Sequence, residues 1–375
     1  MKILFVGLGN LGSQVLDLFL LHTPGNHTFL VAGRNQEYLK ERTNLSLFAA
    51  TQLGVYPDIT STHMDVSNID QSAQTISSFN PDLIFCALTT QRWLTIAELP
   101  KPIFERLLQA QPGPWLPLTL LPVYQLMQAV QQSGVDAQVI NGSFPDTINA
   151  VLSKAGLAPT IGIGNLANTV PAVRRSIALH LKVPVERVEI LFFGHHYVHH
   201  RLLSDGNIGG ARFHLTALVN SEDLTHLLDM KSVFGLLSTT LHMREYTQLL
   251  TATSAMTILD MMINRTKNIV HAPGPNGLVG TYPLRRGETG IEVFFPQGLT
   301  LEEAIRINED GQRLDGIEQI DNDGTVYFTE RNMAILKEVL GYECRRMPLS
   351  EVEQWARELR AKYLELASTV SSQTG

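Results

Sequence analysis

The residues that could do chemistry in this chain fall in two places, and the first is a glycine-rich turn. Gly7, Gly9 and Gly12 have the G-x-G-x-x-G spacing, after an apolar run at residues 2–6 and before an apolar stretch from residue 15. In a dinucleotide-binding turn such glycines permit the tight turn, the approach of a pyrophosphate and close helix packing. The helix N-terminus then faces the phosphates. We predict a nicotinamide or flavin dinucleotide site here; a purely structural turn is the alternative.

The second place is a histidine cluster, since four of the twelve histidines lie between positions 195 and 200. Hydride transfer at a carbonyl carbon requires a proton to move at the oxygen, and imidazole suits this step near neutral pH. We assign His196 as the acid/base and His195 as the second choice. One alternative is a strand end whose histidines only pack or face solvent. Another is a metal site formed by i,i+4 histidine pairs, although we assign no metal ligand.

The end of the second predicted strand bears on the choice of cofactor. Residues 28–32 form this strand, and Gly33, Arg34 and Asn35 follow it. An acidic residue at this position binds the ribose 2′-hydroxyl of NAD, whereas an arginine suits the 2′-phosphate of NADP. Arg34 therefore favours NADP(H), with NAD as the alternative cofactor. The alternative without a cofactor role is that Arg34 is only an exposed arginine in a turn. We expect Asp65, near the end of the third strand, to face the adenine.

These groups are positioned by a regular alternation of strands and helices. Strands are predicted at residues 2–6, 28–32, 59–66, 81–88 and 137–140, with helices at 36–53 and 124–134. Ligands bind at the carboxyl ends of strands in open α/β sheets. The predicted cofactor-binding residues are therefore Gly7, Gly9, Asn10, Leu11, Gly12, Gly33, Arg34, Asn35, Asp65, Ala87, Leu88, Thr89 and Asn141. Residues 91–122 contain six prolines and are predicted to form a lid or substrate loop.

Length and composition limit the class of protein. A chain of 375 residues is long for a single hydrophobic core. We predict a dinucleotide-binding domain at residues 1–146, a catalytic domain at 147–345, and a closing helix with a frayed tail at 346–375. The helix is expected to end near residue 367.

The charge and the cysteines restrict partners and compartment. The net charge is −7 and there is no run of Lys or Arg, which argues against nucleic acid as a partner. Two cysteines without a disulfide framework fit a reducing cytoplasm. Glycines and prolines interrupt the most apolar stretches, so we expect neither a signal peptide nor a membrane span. A small molecule is the expected partner.

Several ordered motifs resemble the lactate/malate dehydrogenase superfamily of NAD(P)-dependent oxidoreductases. The opening GLGNLG is similar to its nucleotide loop, and LMQAVQQSGVDAQVINGSFPDT to its helix, strand and Asn-x-x-x-Pro turn. The segment IGIGNLANTVPAVRRSIALHLKVPVERVEILFFGHH follows its G-x-x-N-L to G-x-H progression. The order of these segments also resembles saccharopine-dehydrogenase-like proteins, whose reductive chemistry acts on amino-acid-derived imines or ketones.

The resemblance implies a fold and roles for particular residues. It implies an α/β chain with an N-terminal Rossmann doubly wound parallel sheet, followed by an α+β substrate domain of the lactate/malate dehydrogenase type. His196 stands at the position of the family's catalytic histidine, and Asn141 at that of an asparagine which contacts nicotinamide and substrate. Arg92 loosely matches a mobile-loop arginine that polarises a carbonyl. The resemblance also implies a homo-dimer or homo-tetramer.

One departure from the family affects both substrate and mechanism. The family has an Asp that orients the histidine and an Arg that clamps the substrate carboxylate, but residues 165–170 read NLANTV. Asn and Val cannot replace a bidentate arginine, so a plain 2-hydroxy acid is an unsuitable substrate. Asn165 and Asn168 could orient the histidine, or could cap the following helix.

Three functions follow from these observations. The first is an oxidoreductase that moves hydride between NADP(H) and a small carbonyl, imine, alcohol or amine. The second is a non-catalytic dinucleotide-binding sensor, which the missing Asp and Arg favour. The third is a metal- and NAD-assisted lyase or hydrolase that uses the histidine cluster. Family relatives of that third kind hold the metal with a cysteine as well, and this chain lacks the equivalent cysteine.

Overall fold

In the described part of the chain, six parallel strands form the N-terminal sheet; the sequence predicted five of them and missed the last. The computed structural model describes residues 1–23, 26–240, 248–264, 266, 268–288 and 290–374. The strands are β1 (Lys2–Val6), β2 (Thr28–Gly33), β3 (Asp58–His63), β4 (Leu83–Cys86), β5 (Gln138–Asn141) and β6 (Ile161–Gly162). Their order is β3-β2-β1-β4-β5-β6, and every pairing is parallel. This is the doubly wound dinucleotide-binding arrangement.

The helices of this half connect the parallel strands. They are α1 (Asn10–His22), α2 (Gln36–Gln52), α3 (Ile69–Phe79), α4 (Lys101–Leu108), α5 (Leu116–Ser133) and α6 (Pro145–Ser153). The aromatic rings of Phe5, Phe29 and Phe85 lie on β1, β2 and β4, and the Phe5 ring is 5.2 Å from that of Phe85. These apolar strands place the β1–α1 turn beside the carboxyl end of β4. The predicted domain boundary at residue 146 falls before β6.

Residues 91–122, predicted as an ordered lid or substrate loop, are largely helical. This segment contains a short helical turn at Trp93–Glu98, helix α4, a second turn at Gly113–Trp115 and the first two turns of α5. Pro102, Pro114 and Pro117 lie at the first or second position of a helix, where the missing N–H group costs nothing. Pro122 alone of this segment's prolines lies inside a helix, and α5 continues through it.

Among the described residues, the second half contributes three small antiparallel sheets. They contain β7 (Val188–Phe193), β8 (His214–Val219) and β9 (Glu222–Asp223); β10 (Val270–Pro273), β11 (Thr281–Arg286) and β12 (Ile291–Val293); and β13 (Ile317–Ile320), β14 (Val326–Phe328) and β15 (Arg346–Met347). The helices are α7 (Val170–Leu181), α8 (His196–Asp205), α9 (Met230–Thr240), α10 (Gln248–Asn264), α11 (Leu301–Leu314), α12 (Glu330–Leu340) and α13 (Val352–Thr374). Helix α13 extends past its predicted end near residue 367. No described helix has the length and apolar character needed to cross a membrane.

The C-terminal elements pack back against the segment that follows β4. Asn332 donates a hydrogen bond to the Ala110 carbonyl (2.8 Å), and the Tyr363 hydroxyl donates to Thr95 (2.9 Å). The N–H of Gly113 donates to the Asp315 carbonyl (2.8 Å), and a Cβ on Gly113 would collide with that oxygen. This docking brings the end of α11 to the carboxyl edge of the parallel sheet.

Candidate active site

The glycine turn has the geometry that its sequence predicts. Gly7 has φ +90°, and a Cβ there would lie 2.7 Å from the Ala87 carbonyl oxygen. A Cβ on Gly12 would collide with the Gly7 carbonyl oxygen, whereas a Cβ on Gly9 would meet no atom within 4 Å. Helix α1 begins at Asn10 with no capping side chain, so its first N–H groups have no intrahelical partner. Open space before a free helix N-terminus fits the pyrophosphate of a dinucleotide.

A cavity of about 610 Å³ connects this turn to His196. Nine residues that the sequence predicted for the site line it: Gly9, Asn10, Leu11, Gly12, Ala87, Leu88, Thr89, Arg92 and His196. Its other lining residues are Pro112, Trp115, Thr119, Gly142, Ser143, Phe144, Asn165 and Gln248. The structure therefore brings the predicted phosphate-binding turn and the predicted acid/base into one cavity.

The residues predicted to contact the adenosine do not line this cavity. Arg34 is exposed at the end of β2, and the Asn35 side chain accepts a hydrogen bond from the Tyr38 N–H (3.1 Å), which caps α2. Burial raises the pKa of Asp65, but hydrogen bonds from Ser67 and the charge of Arg34 outweigh it and leave that pKa below its usual value. Arg34 and Asp65 thus lie close together at the edge where β2 and β3 end.

Contrary to the prediction, Asn141 does not line the cavity, and its side chain is fully buried. Its Nδ2 donates to the Ser143 carbonyl (3.0 Å) and to Asn149 Oδ1 (2.9 Å), and its Oδ1 accepts from the Ser143 N–H (2.8 Å). The amide therefore holds the turn that presents Ser143 and Phe144. Asn141 supports the cavity wall from behind.

His196 forms a dyad with a carboxylate from a distant part of the chain. Its Nδ1 lies 2.9 Å from Oδ2 of Asp315, which follows the last residue of α11. The side chain of Asp315 is 0% exposed and that of His196 is 14% exposed. Burial lowers the pKa of His196, but the charge and hydrogen bond of Asp315 outweigh it, so the pKa of His196 is raised. Burial likewise raises the pKa of Asp315, yet the charge of His196 outweighs it and lowers that pKa.

His195 is the less suitable of the two candidate acid/bases. It is fully buried and does not line the cavity, and its Nδ1 accepts from the Tyr197 N–H (3.4 Å), which caps α8. Burial lowers its pKa. A Cβ on Gly311 would collide with the His195 Cβ. A glycine inside α11 therefore lets this helix approach closely enough for Asp315 to contact His196.

A second buried carboxyl group, on Asp146, lies behind the cavity. It accepts hydrogen bonds from Asn165 Nδ2 (2.8 Å) and from the Thr281 hydroxyl (3.1 Å). Burial raises the pKa of Asp146 and outweighs the nearby histidines. Asn165 is held at φ 55° and Phe144 at φ 39°. A left-handed phenylalanine is strained, and its ring lies edge-on to His196 at 5.4 Å.

The two asparagines have neither of the roles expected from the sequence. Asn165 binds Asp146, while Asn168 Nδ2 donates to the Thr251 hydroxyl (2.9 Å). Thr169 is the N-cap of α7, and no side chain there makes a capping hydrogen bond. Asn168 and Val170 line a separate cavity of about 300 Å³. The carboxyl group that is hydrogen-bonded to His196 belongs to Asp315 instead.

The histidine cluster lies on a helix, because α8 starts at His196. The rings of His196 and His200 stack at 6.2 Å, and burial, aided by His196, lowers the pKa of His200 to about 4. Burial also lowers the pKa of His199 well below its usual value. Across the described ranges, no three His, Cys, Asp or Glu residues are grouped to hold a metal ion. Among those residues, neither the His195/His199 pair nor the His196/His200 pair therefore has a third side chain that could bind a metal ion.

This architecture is similar to that of proteins with solved structures. No family model and no curated protein sequence matches the chain. Solved structures of dehydrogenases do match: a malate dehydrogenase from Plasmodium falciparum aligns with TM-score 0.56 at 18% identity, over 84% of this chain and 98% of that one. The chain has the lactate/malate dehydrogenase fold.

Two lactate dehydrogenase structures also match over most of this chain. A lactate dehydrogenase from Cryptosporidium parvum, complexed with lactic acid and nicotinamide adenine dinucleotide, aligns with TM-score 0.55 at 14% identity, over 96% of this chain and 98% of that one. A lactate dehydrogenase from Eimeria maxima, with NADH and oxamate, aligns with TM-score 0.54 at 15% identity, over 82% and 92%. The expected fold class is confirmed.

Sequence reasoning missed several residues of this site. In the sequence, Asp315 was interpreted as part of a hairpin, and Asp146 as one of the polar residues after the fifth strand. Trp115 and Gln248 have no motif around them. The glycine at position 311, inside an amphipathic helix, was the one available signal, since an interior helix glycine commonly marks close packing.

Proposed function

We propose that this protein is an NAD(P)-dependent oxidoreductase that transfers a hydride between a nicotinamide cofactor and a small substrate. The substrate is a carbonyl or imine in one direction and an alcohol or amine in the other. His196 serves as the proton donor or acceptor. The observation that supports this most is the 2.9 Å contact of the buried Asp315 with His196, which lines the same cavity as the glycine turn.

The dyad determines which nitrogen of His196 meets the substrate. Asp315 accepts the hydrogen bond from Nδ1, which leaves Nε2 for the proton transfer. When bound, the nicotinamide supplies or accepts the hydride at the substrate carbon. During reduction, His196 donates its Nε2 proton to the substrate oxygen as negative charge develops there, and during oxidation it removes that proton. Asp315 stabilises the protonated ring in both directions.

Arg92 lies on the cavity wall and carries a positive charge there. It is exposed, and the described residues give it no ion pair. A guanidinium free of a carboxylate partner can polarise a carbonyl oxygen as the hydride arrives. We assign this role to Arg92.

For the cofactor we propose NADP(H), with NAD(H) as the alternative. The turn before α1 fits the pyrophosphate of either cofactor, and the exposed Arg34 supports a 2′-phosphate contact. Asp65 beside it would reduce that preference, because a carboxylate at this edge can bind a ribose hydroxyl. Three of the similar structures contain NADH or nicotinamide adenine dinucleotide.

We further propose that the protein is a homo-dimer or homo-tetramer. Two large apolar side chains on α2 are exposed, with Leu45 at 61% and Phe48 at 64%. Exposed apolar patches commonly mark association surfaces. Sedimentation velocity measures the mass directly, and a monomer at micromolar concentration would contradict this part of the proposal.

A binding and turnover experiment tests the proposed function. NADPH and NADH are titrated into the protein by calorimetry, and their oxidation is then followed with a panel of small ketones and imines. We expect saturable binding of at least one cofactor and carbonyl-dependent oxidation of it. Binding without turnover of any carbonyl or alcohol would favour the non-catalytic sensor, and no binding would reject both functions.

A further inference from the structure

Two side-chain amides that sequence reasoning did not connect line the cavity around His196. We infer that Asn165 and Gln248 form a subsite for a hydrogen-bond-donating group of the substrate, a hydroxyl or an amine close to the reacting carbonyl. The preferred substrates are then small hydroxy or amino ketones. This inference rests on the proposed function, because it concerns the substrate of the same cavity.

The orientation of the Asn165 amide is determined by its surroundings. Its Nδ2 donates to Oδ2 of Asp146 at 2.8 Å. Asp146 is completely buried and also accepts from the Thr281 hydroxyl. In this hydrogen bond the amide nitrogen of Asn165 faces the carboxyl group of Asp146. The Oδ1 of Asn165, which is an acceptor, is left for the cavity that this residue lines.

Gln248, the first residue of α10, lines the same cavity. Its Oε1 is buried, and within the described chain it has no hydrogen-bond partner. Buried polar atoms in proteins almost always have a partner, and one without it is unfavourable. A donor group on a bound ligand would satisfy this oxygen.

Two hydroxyl groups on the cavity wall already have hydrogen-bond partners. The Ser143 hydroxyl donates to the Leu88 carbonyl (2.6 Å) and accepts from the Leu88 N–H (2.8 Å). The Thr89 hydroxyl donates to the Gln91 carbonyl (2.7 Å). The amide oxygens of Asn165 and Gln248 are therefore the acceptors best placed to read a substrate group.

The charges near His196 agree with a donor on the ligand. Two buried carboxyl groups, Asp146 and Asp315, act electrostatically on His196. Close to the Asp315 carboxylate, a hydroxyl hydrogen or an ammonium group on the ligand is favoured over a carboxylate. The rings of Trp115 and Phe144 supply apolar wall for the carbon skeleton.

Matched ketones test the inference. Hydroxyacetone and aminoacetone each carry a donor beside the carbonyl, and butanone is a similarly sized ketone without one. Reduction of each is measured with NADPH and NADH as kcat/KM, and binding is measured by ligand-observed NMR with oxidised cofactor present, where no turnover occurs. We expect the donor-bearing ketones to exceed butanone by at least about tenfold in both measurements.

Two variants locate the subsite. Asn165→Gly tolerates φ 55° but lacks the amide, and Gln248→Leu keeps the size but lacks the polar atoms. Each should bring the ratio of hydroxyacetone to butanone to within about threefold of unity. Asn168→Ala is the matched control, because this asparagine lies on the same short helical turn and binds Thr251 outside the cavity; it should keep the wild-type ratio.

The outcomes separate the inference from the proposed function. Reduction of all three ketones without a preference for a donor would overturn the inference and leave the oxidoreductase proposal intact. Selective binding of hydroxyacetone or aminoacetone with no reduction would support the subsite and reject the oxidoreductase. Equal, weak binding of all three would reject the subsite. A preference for aminoacetone over hydroxyacetone would identify the group as an amine.

Discussion

The glycine turn and His196 of the His196–Asp315 dyad line one cavity, but the turn and the dyad arise in different ways. The turn is made by residues 7 to 12 packed against the end of β4, and its defining contacts are steric. The dyad joins residues that are 119 positions apart, and it depends on charge in a buried setting. A local pattern therefore identifies the first feature, while the second requires α8 and α11 to pack together.

The two features should also fail in different ways when they are altered. Substitution of Gly7 or Gly12 introduces atoms into a space that backbone already occupies. Loss of a dyad member leaves the other group buried without its partner, which is costly whatever its size. Variants at the two ends of the cavity should therefore separate cofactor binding from proton transfer.

The largest expected effect is at the dyad itself. His196→Gln removes the proton donor and should lower kcat/KM by about 10²- to 10⁴-fold, the usual contribution of general acid–base catalysis. Because His196 lies away from the phosphate turn, the dissociation constant for NADPH should stay within about twofold. Steady-state kinetics and calorimetry measure the two quantities. His180→Gln, on the exposed end of α7, is the control, and unchanged turnover in His196→Gln would remove His196 as the acid/base.

Asp315→Asn keeps the shape of the dyad and removes its charge. We expect kcat/KM for reduction to fall by about 10²-fold, the lower end of the same range. Asp315 raises the pKa of His196, and reduction requires the protonated ring, so wild-type activity persists below that pKa and is lost as pH rises through it. In the variant, the pKa of His196 falls and the alkaline limb of the pH profile should move to lower pH. An unmoved limb would show that Asp315 does not act on the reacting proton.

Two alanine variants sharpen the comparison at the turn. Gly12→Ala places a Cβ against the Gly7 carbonyl oxygen, and the overpacking should reduce the free energy of unfolding by about 1–3 kcal/mol. Gly9→Ala has no neighbour within 4 Å, so it should leave stability unchanged and weaken only cofactor binding. Thermal unfolding and calorimetry test both variants. Equal effects of the two variants on stability would contradict the assigned roles.

The smallest effect is expected where β2 ends. Arg34→Gln removes a positive charge from an exposed site and should weaken NADPH binding by about tenfold, equivalent to about 1.4 kcal/mol, with NADH binding unchanged. Exposed ion pairs contribute little, which limits the size of this effect. A variant that binds both cofactors as the wild type does would place Arg34 outside the cofactor site.

Much of the N-terminal half could be predicted because its signals are local. The first strand was predicted with its observed bounds and the next four within a few residues, whereas the two-residue β6 was not predicted. Continuous apolar runs are typical of buried parallel strands. Helix α5 starts eight residues earlier than predicted, because prolines that break a helix in its interior are tolerated in its first turn.

The features of the site also divide into those with a local sequence signal and those without one. The sequence by itself determined the glycine turn, the doubly wound sheet and the candidate histidine, because each depends on residues that are neighbours in the chain or repeat with a regular period. Only the tertiary structure decided that Asp315 orients His196, that Asn141 lies behind the cavity and that Asn165 faces into it. Those contacts depend on how helices from distant parts of the chain pack, and a single sequence carries no periodic signal for such long-range pairs.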